Sequence, residues 1–421
     1  MDKLRRWLLD PNKPFALPLA ADARLSATDY IDDQTWSLLL GAGDSPALAL
    51  QTRYGGRVGL ASLVPMWYSD HRSIYEAQGY AIPPAITGFA PGYLRAQASL
   101  HPQLGLQAEY WAIDSHTVGV RFTLSNAHTE PISLRLDIFG HVGALGKEQP
   151  LGLVPLANNM TALHMGSFAG ANPVVILEGG SAGPINGGPV SPKIGTDITI
   201  EGRKKVVLRW VHAGLRETAE SVAQALRWLN EDWTPHLRRI NEAAASIPII
   251  ETGDETRDLI LANAWAQLVL AFMKPTTSLP HTSFVALRGP AVGYSLRGDG
   301  SDHRREWNGQ HPAWAYLAAH AIASIDATLA QGVIRNYLAV QQPDGWIDWK
   351  PGSAGQRQGM LCLPVLARLA WGIFQYTEDD AFLHETMPGL VRFFERWLAA
   401  DRDADGDGLP EWQSEYQTGY P

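Results

Sequence analysis

The sequence predicts a multidomain β + α protein, an antiparallel β-sandwich followed by an array of α-helices. Three observations carry this. Short alternating apolar runs broken by turns extend to residue 211, helical spacing takes over near Arg216, and helical patterning dominates after Glu251. At about 150 residues per domain, 421 residues suffice for two or three cores. The expected division is a β-sandwich domain over 1–215, a helical linker over 216–250 and a helical domain over 251–421.

The β elements are read from period two. Residues 118–125 alternate, Asn126-Ala-His-Thr-Glu-Pro131 supplies turn chemistry, and residues 132–139 alternate again with Ile132, Leu134, Leu136 and Ile138 on one face. Alternation on both sides of a polar turn predicts a hairpin. Similar units at 106–113, 174–178 and 204–211 extend the pattern to a sandwich. The linker reads as helix over 217–245, interrupted at Trp233-Thr-Pro235, where the proline starts a second helix because a first turn tolerates it. In the last region Leu259, Leu261, Ala262, Trp265, Leu268, Val269 and Phe272 fall at helical steps within 254–274. Four more helices are expected over 312–323, 327–341, 360–376 and 380–400.

The joins between these helices are unequal. Those at 324–326 and 377–379 are tight, whereas 275–311, 343–358 and the stretch from Asp401 onward are long. In antiparallel helical hairpins every second connection lies at the same end, so the three long loops share one end. Structureless loops beyond about 12–15 residues usually serve function. That end is the expected active site.

Composition narrows the chemistry. The chain carries 34 Lys+Arg against 43 Asp+Glu, a net charge of −9. Acidity without a basic tract argues against nucleic acid as a partner. One cysteine, Cys362, forbids an internal disulfide and fits a reducing compartment, so a cytoplasmic location is expected. No run of 18 apolar residues is present, so no membrane partner is expected, and the basic opening is followed by too short an apolar run for a secretory signal.

The sharpest local motif is Asp401-Arg-Asp-Ala-Asp-Gly-Asp-Gly-Leu-Pro-Glu411. Asp403, Asp405 and Asp407 stand at positions 1, 3 and 5 of an EF-hand-like loop, Gly408 at 6, the Leu409 carbonyl at 7 and Glu411 at 9. The residue at position 12 is Ser414 rather than glutamate. Calcium in a structural role is the expected cofactor, with no organic cofactor.

Tryptophans Trp307, Trp346, Trp349 and Trp412 all fall on the long-loop end, among Glu306, Asn308, Gln310, Asp348, Glu415 and Gln417. Aromatic faces beside carboxylates and amides suit a carbohydrate, whose C–H face packs on a ring while its hydroxyls bond outward. Other motifs fail on context. Gly179-Gly-Ser-Ala-Gly183 matches a nucleophile elbow, but Pro184 and Pro189 stand where a helix is required. His281, His303 and His311 lack metal-ligand spacing, and Cys362 reads as buried packing in an apolar helix.

Three segments resemble glycosidases that place an N-terminal β-sandwich and linker helix before an (α/α)6 toroid, above all the family 63 type, which includes processing α-glucosidases and mannosylglycerate-type hydrolases; amylo-α-1,6-glucosidase-like proteins are similar. They are Glu306-Trp-Asn-Gly-Gln-His-Pro-Ala-Trp314, Leu338-Ala-Val-Gln-Gln-Pro-Asp-Gly-Trp346, and Asp401 to Trp412 with Gln417-Thr-Gly-Tyr420. The resemblance implies part of an (α/α)6 toroid, inverting hydrolysis of an α-glucoside-like substrate, and substrate contacts from Trp307, Asn308, Gln310, Trp346, Asp348, Trp349, Gln417 and Tyr420. Two departures stand out. Asn308 replaces the family's substrate-contacting aspartate, and the family's general acid would fall at Pro421 or beyond it, with the base far downstream. Five helices also fall short of twelve, so the resemblance implies the front portion of a longer enzyme. Within the chain, Glu415, Glu306 and Asp348 are the candidate carboxylates for catalysis. A family 116 type β-glucosidase, with a retaining mechanism, and a glycoside phosphorylase are alternative enzymes on this domain order. A non-catalytic carbohydrate-binding protein is the alternative outside catalysis.

Overall fold

A computed structural model describes Leu4 and residues 16–41, 45–69, 72–143, 151–183, 192–304, 307, 309–352 and 359–418, the side chains of 416 and 418 apart. Sixteen strands form two antiparallel sheets. The first runs, in spatial order, Ala16–Leu19, Trp36–Leu39, Ala49–Thr52, Leu60–Ser69, Ile132–Gly143, Lys193–Ile200 and Ser181–Ala182, with Arg72–Ile74 beside Leu60–Ser69. The second runs Gly152–Pro155, Thr161–His164, Val174–Leu177, Lys205–Ala213, Thr117–Asn126, Leu104–Asp114, Tyr93–His101 and Ile82–Ala90. One apolar core joins them, taking Trp36, Trp67, Leu136 and Ile138 from the first sheet and Tyr110, Val120, Phe122 and Trp210 from the second.

Alternation located these strands but not their partners. Thr117–Asn126 and Ile132–Gly143 are not a hairpin. The former pairs with Leu104–Asp114 and Lys205–Ala213, the latter with Leu60–Ser69 and Lys193–Ile200. The turn between them crosses from one sheet to the other. Val120, Phe122 and Leu124 then meet Leu134, Leu136 and Ile138 across the core. Period two specifies which face is buried, and both pairings bury the same faces.

Helix α1 (Thr218–Asn230) and helix α2 (Thr234–Ala244) follow the sandwich. Ala225, Leu229, Trp233 and Ile240 pack on Trp111, Val174 and Ile176, so the linker covers the outer face of the second sheet. Helix α3 (Glu255–Leu270) starts at an Asp254 cap, whose carboxylate accepts from the Thr256 and Arg257 amides.

The remaining helices are α4 (Pro312–Ala323), α5 (Ala327–Ala339), α6 (Leu366–Thr377) and α7 (Asp380–Trp397). Their tight joins are capped turns. Asp326 accepts from the Thr328 and Leu329 amides, Asp379 accepts from the Phe382 amide, and Glu378 takes a left-handed conformation. Ala315, Ala319, Ile322, Val333, Tyr337, Leu369, Phe382 and Trp397 share the helical core.

Helix α6 begins six residues later than its periodicity suggests. Residue 363 precedes Pro364, which disfavours helical backbone there. The 360–362 stretch instead pairs with 347–349: the Trp349 amide donates to the Met360 carbonyl at 2.7 Å and the Cys362 amide to the Ile347 carbonyl at 2.8 Å. Cys362 is buried in this extended ladder, not in a helix. No helix among the described residues is long and apolar enough to cross a membrane.

Candidate functional site

The three long loops meet at one end of the helices. The Gln310 amide donates to the Pro351 carbonyl at 2.8 Å, joining the first loop to the second. Gly309 makes this approach possible. It has a φ of +89°, and a Cβ there would lie 2.7 Å from the Pro351 carbonyl oxygen. The third loop reaches the second through Gln417, whose Nε2 donates to the Leu361 carbonyl at 2.8 Å. Trp397 Nε1 donates to the Cys362 carbonyl at 3.0 Å beneath this junction.

The sandwich braces the first loop from behind. Tyr30 Oη accepts from the Gly309 amide at 2.7 Å and donates to the Trp307 carbonyl at 2.8 Å. The Tyr30 carbonyl lies 2.9 Å from His303 Nε2 and accepts from Trp307 Nε1 at 3.1 Å. Burial pushes the Tyr30 phenol well above its ordinary value, so it stays neutral and keeps its donor.

Glu306, Asn308 and Tyr420 lie outside the described residues. Trp307 is fully buried among Tyr30, Met273, Leu279, Val285 and Val292. Trp349 is buried with its ring edge-on to His311, centroids 4.8 Å apart. Trp346 is half-buried, its ring flanked by the Arg402 and Arg396 guanidinium groups at 5.2 and 5.5 Å.

Gln310 is buried, with Nε2 donating to the Val333 carbonyl and Oε1 accepting from Asn336. Gln417 is likewise buried and accepts from the Gln413 and Ser414 amides. In this arrangement Trp307, Trp349, Gln310 and Gln417 hold the loops from beneath, and their positions do not carry the expectation that they touch substrate. Asp348 is buried on the second loop, accepting from the Met360 amide at 3.3 Å. Glu415 is exposed.

Sequence reasoning missed two groups here. Trp314, in the first turn of α4, is 41% exposed and stacks on His311 at 4.7 Å. The sequence placed it only within the helix expected over 312–323, and periodicity cannot show that a helix end is open. Lys350, next to Trp349, is a buried cation beside the Gln310 segment. Only its burial, which a loop sequence does not reveal, marks it. With Trp412, 47% exposed and edge-on to Trp397, Trp314 provides the open aromatic surface of this end.

Burial, reinforced by the charge of Asp348, pushes the Cys362 thiol well above its ordinary value. Asp401 is held down to about 2 by the bidentate Arg396 guanidinium at 2.6 and 2.7 Å.

In the acidic loop, the carboxylates of Asp403, Asp405 and Asp407 offer oxygens all within 4.8 Å of one another. Asp403 Oδ2 accepts from the Gly408 amide and Asp407 Oδ1 from the Leu409 amide, while Glu411 accepts from the Ala404 amide. Asp403 Oδ1 is buried without a hydrogen-bond partner. Three converging carboxylates, one of them with an unpartnered oxygen, fit a divalent cation of the calcium kind.

No protein-family model matches the chain, and no curated protein matches it by sequence. Among solved structures it is similar to a bacterial glucoamylase complexed with acarbose, at 12% identity and a TM-score of 0.50, over 94% of this chain and 61% of the glucoamylase. It is also similar to a protein assigned as a kojibiose phosphorylase from the human microbiome, at 8% identity and a TM-score of 0.47, over 95% and 61%. A third likeness is to a family GH92 inverting mannosidase from Bacteroides thetaiotaomicron, at 11% identity and a TM-score of 0.33, over 95% and 64%. The chain thus spans about three fifths of the length of these structures. At such identities the glucoamylase likeness shows the fold. That fold is a β-sandwich with a helical domain, and the likeness does not single out family 63.

Proposed function

We propose that this chain is a carbohydrate-active enzyme of the glycosidase type, with its saccharide groove at the long-loop end. The observation that carries the reading is the convergence of the three long loops, tied by Gln310 to Pro351 and by Gln417 to Leu361, on a fold shared with a glucoamylase. Trp314 and Trp412 supply stacking faces and Trp346 a partly open one, while Asp348 and Lys350 supply charge on the second loop. Trp307, Trp349, Gln310 and Gln417 fix the floor, and Asn308 and Tyr420 are proposed as further substrate contacts.

The finer reading is inverting hydrolysis of an α-glucoside by part of an (α/α)6 toroid. A carboxylic acid protonates the glycosidic oxygen while an opposed carboxylate about 6.5–9.5 Å away activates water. Asp348, Glu306 and Glu415 are the carboxylates this chain offers to that end. Asp403, Asp405 and Asp407, with the Leu409 carbonyl and Glu411, would hold calcium, which neutralises their mutual repulsion and fixes the third loop. Supporting observations are the converging carboxylates and the orphaned Asp403 Oδ1.

The test is an assay against aryl α- and β-glycosides and malto-oligosaccharides, with and without phosphate, on the protein and its Asp348→Asn variant. Release of sugar from α-glucosides, lowered in the variant, supports the reading. Binding of oligosaccharide with no turnover makes the chain a binding protein, and absence of both refutes the assignment.

A further inference from the structure

One short strap of the sandwich, residues 28–33, ties it to the first long loop at successive residues. Thr28 Oγ1 accepts from the Lys274 amide at 2.8 Å, just beyond α3. The Ile31 carbonyl accepts from the Ser295 amide, and the Asp33 amide donates to the Gly293 carbonyl, both at 2.9 Å. Between them Tyr30 bonds Trp307 and Gly309 and so reaches the rim. Asp29 bends the strap, its Oδ1 accepting from the Ile31 and Asp32 amides at 2.8 and 3.3 Å. Behind it lies the sandwich turn 114–117. Ser115 Oγ accepts from the Asp29 amide at 2.8 Å and donates to the Asp33 carboxylate. His116, next in sequence, places Nε2 3.7 Å from Asp32 and 4.0 Å from Asp29.

The groups around His116 are acidic on three sides. Asp29 and Asp32 face it from the strap and Asp114 from its own turn, while α1 contributes the neutral Gln224, which donates to Asp114 at 2.9 Å. The nearby cation, Arg57, is held bidentately by Asp32 at 2.8 and 2.9 Å, bonds the Ala169 and Tyr54 carbonyls, and lies over the Tyr294 ring. Asp32 therefore keeps a cation whether or not His116 is charged. Asp29 does not: among the described residues its ion-pair partner is His116 alone. We infer that His116 is the titrating latch of the strap: charged, it holds Asp29 and Asp32 to the sandwich, and on losing its proton it loosens residues 28–33 with the loop residues 293–303 they carry. Burial opposes the imidazolium, but Asp32, Asp114 and Asp29 outweigh it and raise its value above 6.5. The contact is thus complete below about pH 6.5 and is lost as pH rises through the raised value. His303, with Nε2 2.9 Å from the Tyr30 carbonyl, is shifted down by burial and titrates on the acid side of this window. The inference concerns a proton and does not depend on what the rim binds.

Local opening of this kind is read by hydrogen–deuterium exchange. The intact protein is labelled between about pH 6 and pH 9, below the roughly 10 at which tyrosine and lysine ionise, with times scaled for the intrinsic exchange rate. The wild type should lose protection in 28–33 and 293–303 as pH rises, while strand Thr117–Asn126 keeps its own. In His116→Gln, with its fold checked by circular dichroism, both segments should be less protected at the acid end and show no step. In the wild type alone, the NMR titration of the His116 imidazole should share its midpoint with the loss of protection, so the test stands even where the variant does not fold. A step that persists in His116→Gln overturns the latch. So does a loss shared equally by Thr117–Asn126, a midpoint that differs from that of the imidazole, or no step in the wild type.

Discussion

Asp33 of the sandwich and Arg288 of the first long loop form a bidentate ion pair with both side chains buried, 255 residues apart in sequence. Ser115 adds a hydroxyl hydrogen bond to the same carboxylate. A pair so enclosed is a poor source of net stability, but removing one partner leaves a buried charge uncompensated. Asp33→Asn should therefore lower stability by about 3–5 kcal/mol, read as a shift of the urea midpoint. A loss of only 0–1 kcal/mol, the roughly expected range for an exposed pair, would show that water reaches Arg288.

A second junction titrates. Burial works against the charge of Asp32, but hydrogen bonds from His116 and Arg57 outweigh it and hold the carboxyl at about 2, below its ordinary 3.8. His116 moves the other way: burial opposes its charge, yet the hydrogen bond and charge of Asp32 prevail and raise it above 6.5. The Asp32 contribution is complete above about pH 4 and is lost as pH falls toward 2. The His116 contribution is complete below about pH 6.5 and is lost as pH rises through its raised value. The melting temperature should thus decline on the alkaline side, and His116→Gln should flatten that limb. An unchanged alkaline limb in the variant would remove His116 from the account.

Calcium binding to the acidic loop should stabilise the fold by mass action. At a hundredfold excess over Kd the gain is about 2.7 kcal/mol, or about 5–10 °C in Tm at roughly 2–4 °C per kcal/mol for a domain of this size. A melt with calcium against one with chelator measures it, and Asp403→Asn/Asp405→Asn should abolish the difference. Equal midpoints, with no metal by elemental analysis, would make the loop a solvated turn.

Cys362 should resist thiol reagents in the folded protein. It is fully buried, and its thiol is pushed well above the ordinary range, so little thiolate forms near neutral pH. Reaction with a chromogenic disulfide should appear only on unfolding. Rapid native reaction would mean that the 347–362 ladder opens.

Helical periodicity was legible almost to the residue where caps agreed with it. The spacing predicts helix over 312–323, and α4 occupies those residues, with Pro312 in its first turn. Helix α6 departs because residues 360–362, apolar enough for a helix, are drawn into a ladder with 347–349 that no local pattern announces. The same limit governs the site. Unequal loop lengths indicated that the long loops share an end, which is a consequence of helical topology. Whether Trp307 faces a sugar or a core depends on Tyr30, 277 residues away, whose backbone and hydroxyl hold the loop. Non-local contacts of that kind leave no trace in the sequence near the tryptophan.

The proposed location of a saccharide groove is most directly tested by hydrogen–deuterium exchange with and without maltotetraose. Amide exchange should slow in 303–311, 344–361 and 411–418 together, as one ligand bridges the three loops. Protection confined to other parts of the chain, or no protection at saturating oligosaccharide, would contradict it.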